Sequence, residues 1–136
     1  MIYTDKNRGH IQHNERARQI VAFDGLKYGN ITPTDIDGFI EKSNEAFIFF
    51  ELKYKDAELP AGQKTALIRL VDNLQAAGKK SVLFVGRHEV GNPDVKVIAG
   101  NTLVTDFYFN GCWHKGNNET LQTMIDRFIK WAVPFY

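Results

Sequence analysis

Cysteine and long apolar runs are both scarce in this sequence, and each scarcity excludes a class of protein. The only cysteine, Cys112, cannot form an internal disulfide and cannot by itself build a zinc site, which suits a reducing compartment. The longest apolar run is AFIFF, at residues 46–50, far below the roughly 20 residues that a membrane-spanning helix needs. The opening MIYTDKNRGH also lacks the apolar block of a signal peptide. We therefore expect a cytoplasmic protein that has no membrane partner.

An excess of charge of either sign is missing as well. The 136 residues include 17 lysines and arginines and 16 aspartates and glutamates, which gives a net charge of +1. A chain with so small a net charge can bind nucleic acid only through a local basic patch. Hydrophobic residues make up 43% and charged residues 24%, close to the average globular composition. We expect residues 1–136 to form a single domain, because two smaller domains would lack apolar area for their cores.

Hydrophobic periodicity and turn residues predict an α/β chain. A 3.6-residue apolar stripe of Leu67, Leu70, Val71 and Leu74 predicts a helix that ends at Gly78. This helix joins two apolar strands, and such a crossover pairs its two strands in parallel. The predicted order is helix, strand, strand, helix, strand, then a β-rich segment and a last amphipathic helix. These elements are predicted at residues 9–23, 34–41, 46–54, 63–78, 79–86, 95–109 and 117–132.

The second predicted strand ends in the charged stretch FFELKYK, at residues 49–55. Alternate side chains of a strand share a face, so Glu51, Lys53 and Lys55 are expected to project together, away from the apolar face of Phe50, Leu52 and Tyr54. On a rigid strand end, a carboxylate can hold a divalent cation while an ammonium group two residues away orients a water molecule. The stretch therefore supplies half of a hydrolytic site.

Acids on the preceding strand can complete that site. In TDIDGF, Asp35 and Asp37 lie two residues apart and share a face. A hairpin loop with an odd number of residues places Asp37 opposite Glu51 and Asp35 opposite Lys53, whereas an even loop turns Asp37 to the other face of the sheet. We predict the odd loop, formed by residues 43–45, and leave open which of the two aspartates is the main ligand.

This pattern resembles the PD-(D/E)XK nuclease superfamily, and most closely its Holliday junction resolvase-like and VRR-type domains. The residues that resemble it are Asp37, the tripeptide Glu51-Leu52-Lys53, and Gln63 in GQKTAL at the start of a helix. The resemblance covers residues 9–88 and implies a restriction-endonuclease-like core, in which a central mixed sheet is flanked by helices. Residues 90–136 match no motif of the family and form a C-terminal extension.

The resemblance also implies a role for each residue. Asp37 and Glu51 bind Mg²⁺, for which Mn²⁺ can substitute, and the backbone carbonyl of Leu52 joins them. Lys53 positions the attacking water. Two further candidates for the catalytic site are Gln63 and Glu15, the latter on the first predicted helix.

The activity implied is Mg²⁺-dependent hydrolysis of phosphodiester bonds in branched or duplex DNA, by a homodimer that has one site for each strand. A role in DNA repair or recombination in a bacterial or phage-infected cell is expected. Possible DNA contacts come from the cations Arg8, Arg16, Lys55 and Lys64. The alternative is a catalytically inactive nuclease-like module that binds nucleic acid or serves as a scaffold.

Other signals in the sequence favour structural roles. Asp94-Val95-Lys96 repeats the spacing of an acid and a lysine, but it follows a loop and lacks an acidic strand upstream. Cys112 and His114 are too few for zinc, which takes four ligands in structural sites. Aromatic side chains at residues 107–109 and at Trp113 can stack on unpaired bases, yet aromatic residues in strands more often belong to the core.

Overall fold

The computed structural model describes residues 23–135, which belong to two units divided after Pro33. In the described part of the first unit, residues 23–33, Tyr28 and Ile31 form an isolated β-bridge around Gly29, whose φ is +68°. The amide of Tyr28 donates to the carbonyl of Ile31 at 2.8 Å, and the reciprocal bond is 3.1 Å long. The first predicted helix, residues 9–23, lies outside the described residues except for Phe23, which is not helical.

The second unit is built on a mixed sheet of five strands, which confirms the α/β class. The strands lie in the order β1-β2-β3-β4-β5, and every neighbouring pair is antiparallel except β2 and β3. The parallel pair is the one that the helical crossover predicted. The elements are β1 (Gly38–Lys42), β2 (Ala46–Tyr54), α1 (Ala61–Ala76), β3 (Lys80–His88), a 3₁₀ turn (Ala99–Asn101), β4 (Leu103–Phe109), β5 (Cys112–Lys115) and α2 (Leu121–Ala132). Strands from both sides of residue 90 thus share one sheet.

Helices α1 and α2 cover opposite faces of this sheet. Alternation along β2 sends Ile48 to one face and Phe49 to the other. The α2 face has a core of Ile48, Val82, Phe84, Val104, Leu121 and Ile125. The α1 face has a core of Phe49, Leu67, Val71, Leu83 and Tyr108. Because β2 and β3 are covered on both faces, they read in the sequence as continuous apolar runs.

Helix α1 ends as predicted. Gly78 adopts a φ of +87°, a left-handed conformation that glycine adopts without steric strain. Its amide donates to the carbonyl of Gln75 at 2.9 Å. The next amide, of Lys79, donates to Leu74 at 3.0 Å and closes the helix. Leu67 and Val71 are buried, but Leu70, which was predicted to belong to the same stripe, is exposed.

The hairpin between β1 and β2 has the predicted odd register. Lys42 pairs with Ala46, so three residues lie between the paired positions. Ser43 and Asn44 adopt left-handed φ values of +55° and +56°, and the amide of Glu45 donates to the carbonyl of Lys42 at 3.0 Å. The remaining pairs follow this register as far as the start of β1.

Strand β1 begins at Gly38, four residues later than the predicted strand, so Asp35 and Asp37 precede it. Gly38 pairs with Phe50, whose ring lies across it. A Cβ atom at Gly38 would stand only 1.9 Å from Cζ of Phe50, so no other residue fits here without displacing the ring. The glycine and the phenylalanine together fix the end of the ladder next to Asp37.

The β4–β5 hairpin was not predicted. Phe109 pairs with Cys112 across a two-residue turn in which Asn110 and Gly111 have φ values of +54° and +82°. Asn-Gly is a strong signal for this hairpin turn. The dipeptide Asn110-Gly111 therefore indicated a hairpin turn here, but the sequence analysis did not use it.

Strand β4 also contains a bulge. Val85 pairs with Asp106, but the next residue of β3 pairs with Val104, which leaves Thr105 as the extra residue. Beyond β5, helix α2 confirms the predicted amphipathic helix. It begins after Thr120, whose hydroxyl accepts a hydrogen bond from the amide of Thr123.

Candidate active site

The candidate site is built around reciprocal contacts between Asp37 and the end of β2. The amide of Asp37 donates to Oε2 of Glu51 at 2.7 Å, and the amide of Leu52 donates to Oδ2 of Asp37 at 2.8 Å. The carboxylate of Asp37 thus accepts the hydrogen bond from Leu52 that a backbone carbonyl would accept if the ladder continued. This explains why β1 starts at Gly38, since side-chain acceptors replace the backbone pairing that was predicted from residue 34.

Gln63, on the first turn of α1, contacts the other side of Glu51. Its Nε2 donates to Oε1 of Glu51 at 2.5 Å and to the carbonyl of Asp35 at 2.9 Å. Both carboxylate oxygens of Glu51 therefore accept a hydrogen bond, which offsets the cost of burying a side chain that is only 1% exposed. The structure thus places Gln63 against Glu51 and Asp35, and its catalytic role stays a prediction. Asp35 contributes its carbonyl, whereas Asp37 contributes its carboxylate.

Burial is the main influence on the ionisation of Glu51. Burial raises the pKa of Glu51 above its ordinary value, and the negative charges of Asp37 and Asp35 act in the same direction. The hydrogen bond from the Asp37 amide and the charge of Lys53 oppose this rise in pKa without cancelling it. A cation bound next to these carboxylates would stabilise their ionised forms.

Lys53 shares a face with Glu51, but Lys55 does not continue the row. Lys53 lies within β2, two residues after Glu51, and pairs with Arg87 of β3. Lys55 follows the end of the strand with a φ of +49°, and its Nζ lies 5.2 Å from the centre of the Tyr54 ring. Because Tyr54 belongs to the opposite face, the prediction that the three charged residues project together is wrong for Lys55.

The oxygen donors at this end of β2 fit the ligand preference of Mg²⁺. In an antiparallel ladder, the N–H and C=O of one residue point to the same neighbour, so the carbonyl of Leu52 points to the side on which its amide contacts Asp37. Two carboxylates and a carbonyl, completed by water and substrate phosphate, are donors that Mg²⁺ accepts. Across residues 23–135, no group of three or more His, Cys, Asp or Glu side chains is placed to hold a metal ion.

The remaining predicted site residues are placed as follows. Glu15, Arg8 and Arg16 lie outside the described residues. Lys64 is exposed on α1, and its Nζ lies 5.1 Å from the centre of the Trp113 ring. Its proposed contact with DNA stays a prediction.

The signals that were expected to be structural lie away from Glu51. Asp94 lies in a loop, where its amide donates to Oδ1 of Asn92 at 3.0 Å. Cys112 and His114 are paired on β5 with Phe109 and Phe107, so they belong to the α2 face. Their Sγ and Nε2 atoms are 3.4 Å apart.

A group of polar residues on β3, β4 and β5 was not predicted. Nε of Arg87 donates to the hydroxyl of Thr105 at 3.0 Å, and Nζ of Lys115 pairs with Asp106 at 2.9 Å. Hydrogen bonds from Lys115 and Thr105 outweigh burial and hold the pKa of Asp106 below its ordinary value. These residues line one open cleft on the α1 face. Only the missed Asn-Gly hairpin could have placed Lys115 beside Asp106 in advance.

Comparisons with family models, with curated proteins and with solved structures give no match for this chain. Among the helices that the structure describes, none is long and apolar enough to cross a membrane.

Proposed function

We propose that this chain is a Mg²⁺-dependent DNA endonuclease that hydrolyses phosphodiester bonds in branched DNA, with a restriction-endonuclease-like core. The observation that supports this most directly is the contact of Asp37 with Glu51 at the end of a central strand, on the face that also presents Lys53. The resemblance of these residues, and of Gln63, to PD-(D/E)XK nucleases supports the same reaction. Retention of both acids and the lysine favours an enzyme over an inactive binding module.

In this proposal, Asp37, Glu51 and the carbonyl of Leu52 hold the metal. Mg²⁺, when bound, supplies positive charge that polarises the phosphodiester and makes water more acidic. Lys53 donates a hydrogen bond to the attacking water and offsets the negative charge that develops on the phosphate in the transition state. Gln63 holds Glu51 in one orientation through its 2.5 Å hydrogen bond.

The test is cleavage of a panel of labelled DNAs, namely a four-way junction, a flap, a nicked duplex and a linear duplex, with Mg²⁺ or with EDTA. We expect the wild-type protein to cut at least one branched substrate with Mg²⁺ and none with EDTA. Lys53→Ala is expected to lower the rate by about 10²- to 10³-fold, the usual loss when one donor to developing charge is removed. Lys130→Ala, an exposed substitution on α2, is the matched control and should leave the rate unchanged.

Absence of cleavage on every substrate, or equal rates for wild type and Lys53→Ala, would contradict the proposed mechanism. DNA binding without cleavage would instead support the nuclease-like binding module. The resemblance to junction resolvases implies one active site for each strand, so we also propose that the active form is a homodimer. Sedimentation of the protein on an uncut junction in EDTA measures this, and two copies for each junction are expected.

A further inference from the structure

A cleft of about 590 Å³ adjoins the candidate site on the α1 face of the sheet. Its lining includes three cationic side chains (Lys64, Arg87 and Lys115), three acidic ones (Asp56, Glu58 and Asp106), the indole of Trp113 and the side chain of Val85. This volume lies within the range of small-ligand sites, which is about 300–1,000 Å³. The cleft is therefore large enough for a nucleotide.

The sheet register connects this cleft to Glu51. Glu51 pairs with Val85, Val85 pairs with Asp106, and Asp106 pairs with Lys115, so the four residues form one row across the sheet. Neighbouring strands are about 4.8 Å apart, which places Asp106 about 10 Å from Glu51 along this row. The helix gives a second connection, because Gln63 contacts Glu51 and the next residue, Lys64, lines the cleft.

Trp113 gives the cleft a flat aromatic wall. The indole packs against the ring of Tyr108 in a T-shaped contact, with ring centres 5.4 Å apart. Nζ of Lys64 lies over the same indole, 5.1 Å from its centre. Lys64 is an exposed and flexible side chain, so an incoming ring can displace it. Its ammonium group would then be free to pair with a phosphate beside that ring.

We propose that this cleft binds one unpaired nucleotide of the DNA substrate, with its base stacked on Trp113 and its phosphate paired with Lys64. This inference rests on the proposed endonuclease function, whose substrate class it narrows to DNA that has unpaired bases next to the cleaved bond. A base in an intact duplex stays within its stack and cannot present its face to the indole. Base stacking on an aromatic side chain is tolerant of sequence, so the cleft selects for strand structure rather than for base identity.

The two tryptophans of the chain allow a direct test. Trp131→Phe leaves Trp113 as the only indole, whereas Trp113→Phe leaves Trp131, which lies on the α2 face. Each variant is titrated in EDTA with single-stranded oligothymidylate of eight nucleotides, and indole fluorescence is recorded. We expect the oligonucleotide to quench the variant that retains Trp113 and to leave the other unchanged. A blunt duplex of eight base pairs should quench neither.

Affinity gives a second measurement on the same cleft. Trp113→Ala is expected to bind labelled oligothymidylate about 5- to 150-fold more weakly than wild type, the range for loss of one base–aromatic stack. Trp113→Phe retains an aromatic face and should bind within about threefold of wild type, which separates loss of stacking from loss of folding.

Equal quenching by the duplex, quenching of Trp131 alone, or wild-type affinity in Trp113→Ala would overturn the inference. These measurements need no cleavage, so they fail or succeed separately from the proposed function. Cleavage without a fluorescence signal from Trp113 would refute only the proposed nucleotide-binding cleft. A fluorescence signal from Trp113 without cleavage would refute the proposed endonuclease activity and would still support a binding site for unpaired DNA.

Discussion

The two faces of strand β2 differ along its second half. On the α2 face, Ile48, Phe50 and Leu52 are all apolar and pack against one cluster. On the α1 face, buried Phe49 is followed by Glu51 and Lys53. The alternation of side chains along β2 thus gives its two faces different roles. One face packs apolar side chains along its whole length, whereas the other carries charged side chains at the proposed catalytic site.

The difference also concerns what holds each face together. The α2 face is stabilised by non-directional burial of apolar side chains. The α1 face near Glu51 depends on directional hydrogen bonds from the Asp37 amide and from Gln63. Substitutions on the two faces should therefore separate loss of stability from loss of activity.

Phe84→Ala should have the largest effect on stability. Phe84 is 2% exposed on the α2 face and contacts the rings of Phe107 and Phe128. Deletion of a buried phenyl group is expected to lower the free energy of unfolding by about 3–5 kcal/mol. Lys53→Ala, on the other face, should change it by no more than about 0.5 kcal/mol. Urea denaturation of both variants measures this, and similar losses would show that the two faces are not divided as described.

Gly38→Ala should have an intermediate effect, because it forces a Cβ atom into the ring of Phe50 next to Asp37. The added methyl group is expected to lower the free energy of unfolding by about 1–3 kcal/mol. Gly62→Ala is the matched control, since nothing lies within 4 Å of a Cβ atom there. In the first turn of a helix, that control should be neutral or up to about 1 kcal/mol more stable. If both variants unfold at the same urea concentration, the Phe50 ring does not constrain position 38.

The smallest effect is a change in pH dependence, measured as melting temperature in EDTA for Glu51→Gln and for Asp106→Asn. The pKa of Glu51 is raised by burial, so its contribution to stability is present below the unfolded pKa and is lost as pH rises through the folded pKa. Glu51→Gln should therefore gain stability relative to wild type as the pH rises above the ordinary pKa of a glutamate side chain.

Asp106 should behave in the opposite way. Burial raises its pKa, but the hydrogen bonds from Lys115 and Thr105 prevail and lower it overall. Its contribution to stability is then present above the unfolded pKa and is lost as pH falls through the folded value. Asp106→Asn should be less stable than wild type at neutral pH, and the deficit should shrink in acid. Parallel curves for the two variants would contradict the assigned environments.

The parts of the fold that were predicted correctly are those set by chain-local patterns. The crossover formed by β2, α1 and β3 follows from apolar runs, one helical stripe and the cap at Gly78. The start of β1 and the bulge at Thr105 could not be predicted, because both depend on partners distant in sequence. In the first case Glu51 and Asp37 replace the ladder, and in the second Thr105 bonds to Arg87.

The candidate site was predicted in part for the same reason. The odd register was predicted because it brings Asp37 opposite Glu51, and the structure confirms it at Lys42 and Ala46. Gln63, which was assigned to the site only by the family resemblance, contacts Glu51. The cleft beside Trp113 exists only because β4 and β5 form a hairpin. The only sequence feature that indicated this hairpin was the dipeptide Asn110-Gly111. The roles of these residues in catalysis stay predictions.

The orientation of the two carboxylates depends on main-chain donors, and this has a consequence for mutational tolerance. Oε2 of Glu51 and Oδ2 of Asp37 accept hydrogen bonds from the amides of Asp37 and Leu52, respectively. Nineteen of the twenty amino acids carry a backbone N–H, and only proline lacks one. Replacement of Leu52 by any residue other than proline therefore leaves the donor to Asp37 in place. Random substitutions around the acids should disturb the orientation of the carboxylates less often than they would if the donors were side chains.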